Sequence, residues 1–210
     1  MIKVLIADDH AIVRRGLKQL LLEEFSSAVI EEAADAEELV KKVFNNVWDV
    51  VICDLSMPGR SGLDALKQIK QASPELPVLI MSMYPAEQYA FRVLKAGAYG
   101  FLSKDSIHDE LIAAVQTVLR GRKFIPSSIA EKLVEVFDTN SNQPQHGLLS
   151  DREFDVFKLL AAGKTVTEIA DRLSLSPTTV STYRSRVLEK MNMKTNAEIT
   201  RYALEKKLIQ

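Results

Sequence analysis

Mostly apolar runs alternate with amphipathic segments along the first part of the chain. Such runs are typical of strands buried on both faces of a parallel sheet, and they cover residues 2–7, 28–32, 49–54, 77–82 and 99–103. Apolar residues at helical spacing predict helices over residues 11–24, 35–44, 61–72, 86–95 and 105–119. The first helix is expected to turn five apolar side chains inward: Ile12, Val13, Leu17, Leu20 and Leu21. Five strand and helix repeats predict an α/β fold with a doubly wound, five-stranded parallel sheet.

The pattern changes after residue 121. Residues 126–137 are predicted to form a connecting helix, and the polar segment 138–147 a mobile linker. Ser150 and Glu153 have the spacing of a capping box at the start of a new helix. Short helices over 165–173 and 177–191, joined by a tight turn at 174–176, predict a helix-turn-helix, with a final helix over 195–207.

The helix over 177–191 has two different faces when projected at about 3.6 residues per turn. One face is apolar, and the other carries mainly small hydroxyl side chains, with arginines toward the flanks: Thr178, Ser181, Thr182, Ser185, Arg184 and Arg186. Short polar side chains let a helix lie deep in the major groove of DNA, and arginines suit phosphates or guanine edges. A solvated surface helix is the alternative, but such a helix usually carries more Glu and Lys.

Charge supports a polyanionic partner for the end of the chain. Residues 172–210 hold eight basic and three acidic residues, whereas the whole chain has a net charge of −1. The one cysteine, Cys53, excludes an internal disulfide and a cysteine-rich zinc site. No apolar stretch approaches membrane-spanning length and the chain runs straight into a strand, so we predict a cytoplasmic protein without a membrane partner.

Candidate chemistry lies at the carboxyl ends of the predicted strands, where right-handed crossovers bring side chains into one crevice. These side chains are Asp8, Asp9, Asp54, Ser82 and Lys104. Clustered carboxylates repel one another, and Mg²⁺ relieves this repulsion. With a lysine and a hydroxyl nearby, Asp54 could carry a phosphoryl group. The alternative is an ordinary loop aspartate before a Pro-Gly turn. His10 is expected to begin a helix rather than bind metal, because imidazole suits softer ions.

Residues 1–121 resemble the flavodoxin-like receiver domain of two-component response regulators. The Asp8-Asp9 pair, Asp54 before Met57-Pro58-Gly59, Ser82 and Lys104 carry the resemblance. It implies that a sensor histidine kinase or a small phosphodonor phosphorylates Asp54. It also implies that Asp9, Asp54 and the Ser56 carbonyl bind Mg²⁺, with Asp8 acting largely through water. Ser82 and Phe101 would form the switch pair, with Phe101 turning inward on phosphorylation.

Residues 148–210 resemble the LuxR-type tetrahelical DNA-binding domain, and the whole chain is similar to the NarL/FixJ family of response regulators. The matching residues are Leu149-Ser150, Arg152-Glu153, Glu168-Ile169-Ala170, the segment 176–180, and Lys190-Met191 followed by Asn196. The resemblance implies promoter DNA as a partner, with Ser181, Thr182 and Ser185 reading bases and Arg184 and Arg186 contacting the backbone. In a phosphorylated homodimer, the final helix could pair two modules through Ile199, Tyr202 and Ala203. That face could equally pack on its own domain.

The resulting division is a receiver over 1–121, a connecting helix and flexible linker over 122–147, and a DNA-binding domain over 148–210. One alternative is an aspartyl-phosphate phosphotransferase or phosphatase, but such enzymes need a second carboxylate two residues after the first, where this chain has Ser56. We therefore expect no enzyme. Another alternative is a DNA-binding regulator whose receiver is not phosphorylated in use, against which the complete acidic set and Lys104 argue.

Overall fold

The structure is a computed structural model that describes residues 1–84, 86–126, 130, 145–206 and 208–209. The chain divides into two compact units, Met1–Glu135 and Val136–Gln210, and each is described by itself. Apart from residues 126, 130 and 145–147, the predicted connecting helix over 126–137 and the predicted linker over 138–147 lie outside the described residues.

The first unit is built on a five-stranded sheet in which every neighbouring pair is parallel. Its strands are β1 (Lys3–Ala7), β2 (Val29–Ala33), β3 (Val50–Asp54), β4 (Val78–Ser82) and β5 (Gly100–Ser103), in the spatial order β2-β1-β3-β4-β5. β3 and β4 are buried along their whole length, as continuous apolar runs predict. The predicted doubly wound parallel sheet is confirmed.

Five helices connect these strands: α1 (Ala11–Glu24), α2 (Ala36–Asn45), α3 (Gly62–Ala72), α4 (Ala86–Lys95) and α5 (Ile107–Leu119). α1 and α5 pack together on the core through Leu17, Leu21 and Val115. The prediction that Ile12 faces inward is wrong, because its side chain is 82% exposed. The inner stripe of α1 runs through Val13, Leu17, Leu20 and Leu21, and Ile12 lies about 100° away from its first residue.

The turns that follow the strands are tied to neighbouring strands by backbone hydrogen bonds. Leu55 N–H donates to the Met81 carbonyl at 2.8 Å, and Lys104 N–H donates to the Ser82 carbonyl at 2.9 Å. These bonds extend the ladder one residue beyond β3 and β5. Side chains that follow the strands are therefore held at one edge of the sheet with little freedom.

The second unit is all helical in its described part. A single 3₁₀ turn (Gln145–Leu148) precedes α6 (Asp151–Ala161), α7 (Val166–Leu173), α8 (Pro177–Lys190) and α9 (Asn196–Glu205). The capping box of Ser150 and Glu153 is confirmed, and Thr165 and Glu168 form a second one at the start of α7. Ser174 adopts a φ of 52° between α7 and α8, which turns the chain sharply between the two helices of the helix-turn-helix.

The start of this unit lies closer to its core than predicted. His146, which we place in the linker from the sequence, lies in the 3₁₀ turn with its ring 5.9 Å from that of Phe154. Its Nδ1 is 3.0 Å from the Tyr202 hydroxyl. These contacts attach the segment before α6 to both α6 and α9.

The face of α9 that we predict from the sequence to pair two modules, Ile199, Tyr202 and Ala203, packs inside the unit. Ile199 and Ala203 are fully buried within the unit, and the Tyr202 ring meets Phe157 edge to face. Four short helices form a core only if each buries one face, and this is the face that α9 buries. The alternative, packing on its own domain, is confirmed.

Gly62 provides a test of how tightly the fold holds Asp54. Its N–H donates to the Leu55 carbonyl at 2.9 Å, and a Cβ at this position would overlap the Asp54 carbonyl oxygen. We expect Gly62→Ala to lower the free energy of unfolding by about 1 to 3 kcal/mol, because backbone atoms must move. Urea unfolding measures this change.

Gly16→Ala is the matched control for that substitution. Gly16 lies inside α1 with open space around it. Alanine there should raise the free energy of unfolding by about 0.5 to 1 kcal/mol, because glycine loses more backbone entropy in a helix. If Gly62→Ala and Gly16→Ala were equally stable, the close approach of α3 to the Asp54 backbone would not constrain the fold.

Candidate functional site

Three of the predicted residues meet in an ion cluster at the carboxyl edge of the sheet. The Lys104 ammonium lies 2.7 Å from Asp8 Oδ2 and 2.9 Å from Asp54 Oδ2. Asp8 is 0% exposed and Asp54 is 3% exposed. Asp8 follows β1, Asp54 ends β3, and Lys104 follows β5, so the lysine reaches across the end of β4. We call these three side chains the Asp54 cluster.

The electrostatics of the Asp54 cluster leave it with excess negative charge. Burial raises the pKa of Asp54, and Lys104 opposes this only in part. Burial would lower the pKa of Lys104, but its bonds to Asp8 and Asp54 outweigh burial and raise the pKa above its usual value. The lysine therefore stays charged, and one ammonium serves two buried carboxylates. Such a site favours a further cation.

Asp9 supplies a donor suited to that cation. Its Oδ1 is buried and accepts no hydrogen bond from the described residues, although His10 Nδ1 lies 2.8 Å away. Ligand atoms of Asp8, Asp9 and His10 lie within 4.8 Å of one another. Carboxylate oxygens of Asp8 and Asp9 next to the Asp54 cluster fit a hard divalent ion such as Mg²⁺. His10 precedes α1 as its N-cap residue, as predicted.

Arg14 supports Asp8 from behind and was missed from the sequence. Its guanidinium donates to the Asp8 carbonyl at 2.7 Å and to Glu32 Oε2 at 3.0 Å. Asp8 also accepts the His10 N–H at 2.8 Å. These bonds fix the carboxylate that shares the lysine. An arginine one turn into the helix after an Asp-Asp pair was the available signal.

The two predicted switch residues are both buried. Ser82 is fully buried and its hydroxyl accepts the Tyr84 N–H at 2.9 Å. Phe101 is 1% exposed, so its ring already lies inward in this structure, and its part in the switch stays a prediction. A phenylalanine ring has no polar group to keep in water, and an outward position would only expose apolar surface. The ring of Tyr84 stacks on that of Tyr89 in α4, with 5.3 Å between the ring centroids.

The second candidate surface is the outer face of α8. Five of its predicted polar residues are exposed: Thr178, Ser181, Thr182, Ser185 and Arg186. Arg184 is half-buried. Val180 and Val187 are fully buried on the opposite face. The Thr182 and Ser185 hydroxyls each donate to a carbonyl one turn earlier at 3.1 Å. Donation inward leaves the lone pairs of both oxygens available as acceptors.

α8 is anchored to α6 by an ion pair between an exposed lysine and a buried glutamate. Lys190 Nζ lies 2.6 Å from Glu153 Oε2, and the glutamate is 3% exposed. Burial would raise the pKa of Glu153, but Lys190 and Ser150 outweigh it and hold the pKa below its usual value. The pair joins residues 37 positions apart. The capping box spacing revealed Glu153 as a cap but could not reveal this partner.

Two family models match the chain. One, described as "Response regulator receiver domain", matches residues 4–116 and contains the Asp54 cluster. The other, described as "Bacterial regulatory proteins, luxR family", matches residues 147–203 and contains α8. The chain belongs to the NarL/FixJ family of response regulators. Members of this family are two-component, DNA-binding transcription regulators rather than enzymes.

Similar proteins extend along the whole chain. The oxygen regulatory protein NreC of Staphylococcus carnosus is 40% identical over 214 residues, covering 99% of each chain. RcsB from Salmonella enterica serovar Typhimurium, solved bound to promoter rprA in the presence of phosphomimetic BeF3⁻, has a TM-score of 0.65 and 26% identity. That match covers 96% of this chain and 97% of RcsB. A structure of two RcsB dimers bound to two parallel DNAs has a TM-score of 0.60, 29% identity and the same coverage.

Hydropathy adds one structural finding. Among the described residues, no helix combines the length and the apolar composition that crossing a bilayer requires.

The raised pKa of Asp54 predicts how its charge affects stability. Its folded-state pKa lies above the ordinary value of 3.8, so the contribution of Asp54 to stability is greatest below about pH 3.8 and falls as pH rises toward the folded-state pKa. Asp54→Asn should therefore raise the free energy of unfolding at neutral pH, by on the order of 1 kcal/mol in metal-free buffer. Urea unfolding over a pH series measures the difference.

Asp105→Asn serves as the matched control, because Asp105 is exposed and lies beside Lys104. It should change stability by less than about 0.5 kcal/mol at any pH. If Asp54→Asn were destabilising at neutral pH, the ionised Asp54 carboxylate would be a net stabilising group, contrary to the electrostatics of the cluster.

Proposed function

We propose that Asp54 accepts a phosphoryl group from a sensor histidine kinase and that this modification controls promoter binding by α8. The observation that carries the proposal is the Lys104 ammonium shared between Asp8 and Asp54 at 2.7 and 2.9 Å. That ammonium lies where it can also bind an oxygen of a group attached to Asp54. Phosphorylation would then be recognised by a cation already in place.

The Asp54 carboxylate is the nucleophile in this mechanism. A carboxylate oxygen forms a bond to phosphorus as the bond between phosphorus and the leaving group breaks. Lys104 and the Ser82 hydroxyl bind oxygens of the transferred group. Asp8, Asp9, Asp54 and the Ser56 carbonyl would hold Mg²⁺, which supplies positive charge to the phosphoryl oxygens when bound.

Ser82 and the loop after β4 carry the signal away from Asp54. Phosphorylation adds about two negative charges at the site. The Ser82 hydroxyl can donate to the phosphoryl group while it still accepts the Tyr84 N–H. Movement of Ser82 therefore moves Tyr84, and the stacked Tyr84 and Tyr89 rings pass that movement to α4. Phe101 fills space beside this route without having to rotate.

Promoter DNA and a second copy of the chain are the proposed partners of the second unit. RcsB has been solved bound to promoter DNA in the presence of a phosphomimetic and also as dimers on DNA. The buried face of α9 is not available for pairing, but Leu204 on its outer face is 52% exposed, beside exposed Arg201. We assign pairing of phosphorylated copies to this outer face. A cytoplasmic location stays a prediction.

The test of the phosphoacceptor is labelling by acetyl phosphate in Mg²⁺. Asp54→Ala should abolish acid-labile phosphate on the protein, because no other carboxylate replaces the nucleophile. Lys104→Ala should keep the acceptor but weaken the response to phosphorylation. Asp105→Ala, an exposed carboxylate on the same edge, should label normally. If Asp54→Ala were labelled as strongly as the unaltered protein, the phosphoacceptor would be another residue. If the unaltered protein were not labelled, the receiver would be one that is not phosphorylated in use.

Two kinds of α8 substitution should separate affinity from specificity. Arg186→Ala should weaken binding on all sequences and reduce the slope of log affinity against log salt by about one unit, since one phosphate contact is lost. Ser185→Ala and Thr182→Val should instead change base preference, by about 1 to 3 kcal/mol at the contacted pair. Selection from a random duplex pool, followed by salt titrations, measures both. If Arg186→Ala changed the base preference and left the salt slope unaltered, Arg186 would contact bases rather than phosphates.

A further inference from the structure

The guanidinium of Arg184 is held by a neutral side chain from the next helix. Its Nε donates to Asn196 Oδ1 at 2.8 Å, and Asn196 is the first residue of α9. Arg184 is half-buried on the flank of α8, between its buried face and the exposed hydroxyl face. The bond therefore joins the exposed helix of the helix-turn-helix to the start of the last helix.

The chemistry of this bond differs from that of the other cation held on α8. Lys190 is bound by the Glu153 carboxylate, which offsets its charge. Asn196 is uncharged, and no described carboxylate lies within ion-pair distance of Arg184. Arg184 is thus fixed in place with its full charge retained. A structural tie alone would be stronger with a carboxylate, whereas a charge that is fixed but not neutralised suits an anionic partner.

Fixing an arginine side chain before binding lowers the entropy cost of binding. An unrestrained arginine loses roughly 0.5 to 1.5 kcal/mol of side-chain freedom when a partner orders it. The bond to Asn196 uses one of five N–H donors and restricts the plane of the guanidinium before any partner arrives. The remaining edge of the guanidinium keeps the paired donors that match two oxygens of one phosphate.

We propose that Asn196 is a positioning residue that presents Arg184 to a phosphate of the DNA backbone. This inference rests on the proposed DNA binding by α8 and adds a residue outside that helix. Asn196 itself touches no DNA in this account. Its effect on affinity exists only while Arg184 is present.

The experiment is a double-mutant cycle in the full-length chain. Affinity for a mixed-sequence DNA duplex is measured over a salt series for the unaltered protein, Asn196→Ala, Arg184→Ala and the double variant. Asn196→Ala should weaken binding roughly threefold to tenfold, because Arg184 must then be ordered on binding. The same substitution should have no effect in the Arg184→Ala background. Thr195 still caps α9 in these variants, so their thermal unfolding should stay close to that of the unaltered protein.

Arg186 provides the matched control, because it is exposed and no described side chain bonds it. Asn196→Ala should weaken binding by the same factor with or without Arg186→Ala. An equal effect of Asn196→Ala with and without Arg184 would overturn the inference, and so would no effect at all. If the unaltered protein bound no duplex in a salt-dependent way, the proposed DNA binding itself would be wrong.

Discussion

The structure depends most on one ammonium group placed between two buried carboxylates. Asp8 and Asp54 are both buried and share the Lys104 ammonium, which lies 2.7 and 2.9 Å from them and offsets part of the cost of burying their carboxylates. The ends of β1, β3 and β5 must therefore be held in fixed positions relative to one another. Backbone bonds beyond β3 and β5 and the close approach of Gly62 to Asp54 provide that constraint. Because the carboxylates outnumber the ammonium, the site remains ready for Mg²⁺ and for a phosphoryl group.

The electrostatics of the second unit differ from those of the Asp54 cluster. Its cations must face a polyanion, so those needed for structure and those needed for binding are held differently. Lys190 is neutralised by the buried Glu153 carboxylate and fixes the end of α8. Arg184 is held by an amide and keeps its charge. The small hydroxyls on the exposed face of α8 leave room for the floor of the groove to approach the helix.

The sequence predicted the parts of the fold that local pattern controls. Apolar runs marked β3 and β4 because both faces of these strands are buried, and the capping box of Ser150 and Glu153 marked the start of α6. Lys190 and Glu153 are 37 positions apart, so their pairing left no local signal and was missed. Arg14 lies only six positions after Asp8, and the local signal for that contact was not used.

Errors arose where a residue could face either way. Ile12 lies beside the apolar stripe of α1 and faces solvent, and the apolar face of α9 was needed for its own core. Phe101 was expected to turn inward on phosphorylation, and its ring is already buried in this structure. In each case periodicity identified an apolar face, but only packing decided what covers it.

Coupling between the two units is tested most directly by DNA affinity and mass measured together. Full-length protein, with and without acetyl phosphate and Mg²⁺, is titrated against a duplex selected from a random pool, and the complexes are sedimented. The account predicts that phosphorylation tightens binding about tenfold or more and places two copies on each duplex, and that Asp54→Asn shows neither change. Equal affinity of phosphorylated and unphosphorylated protein, at equal mass, would contradict it.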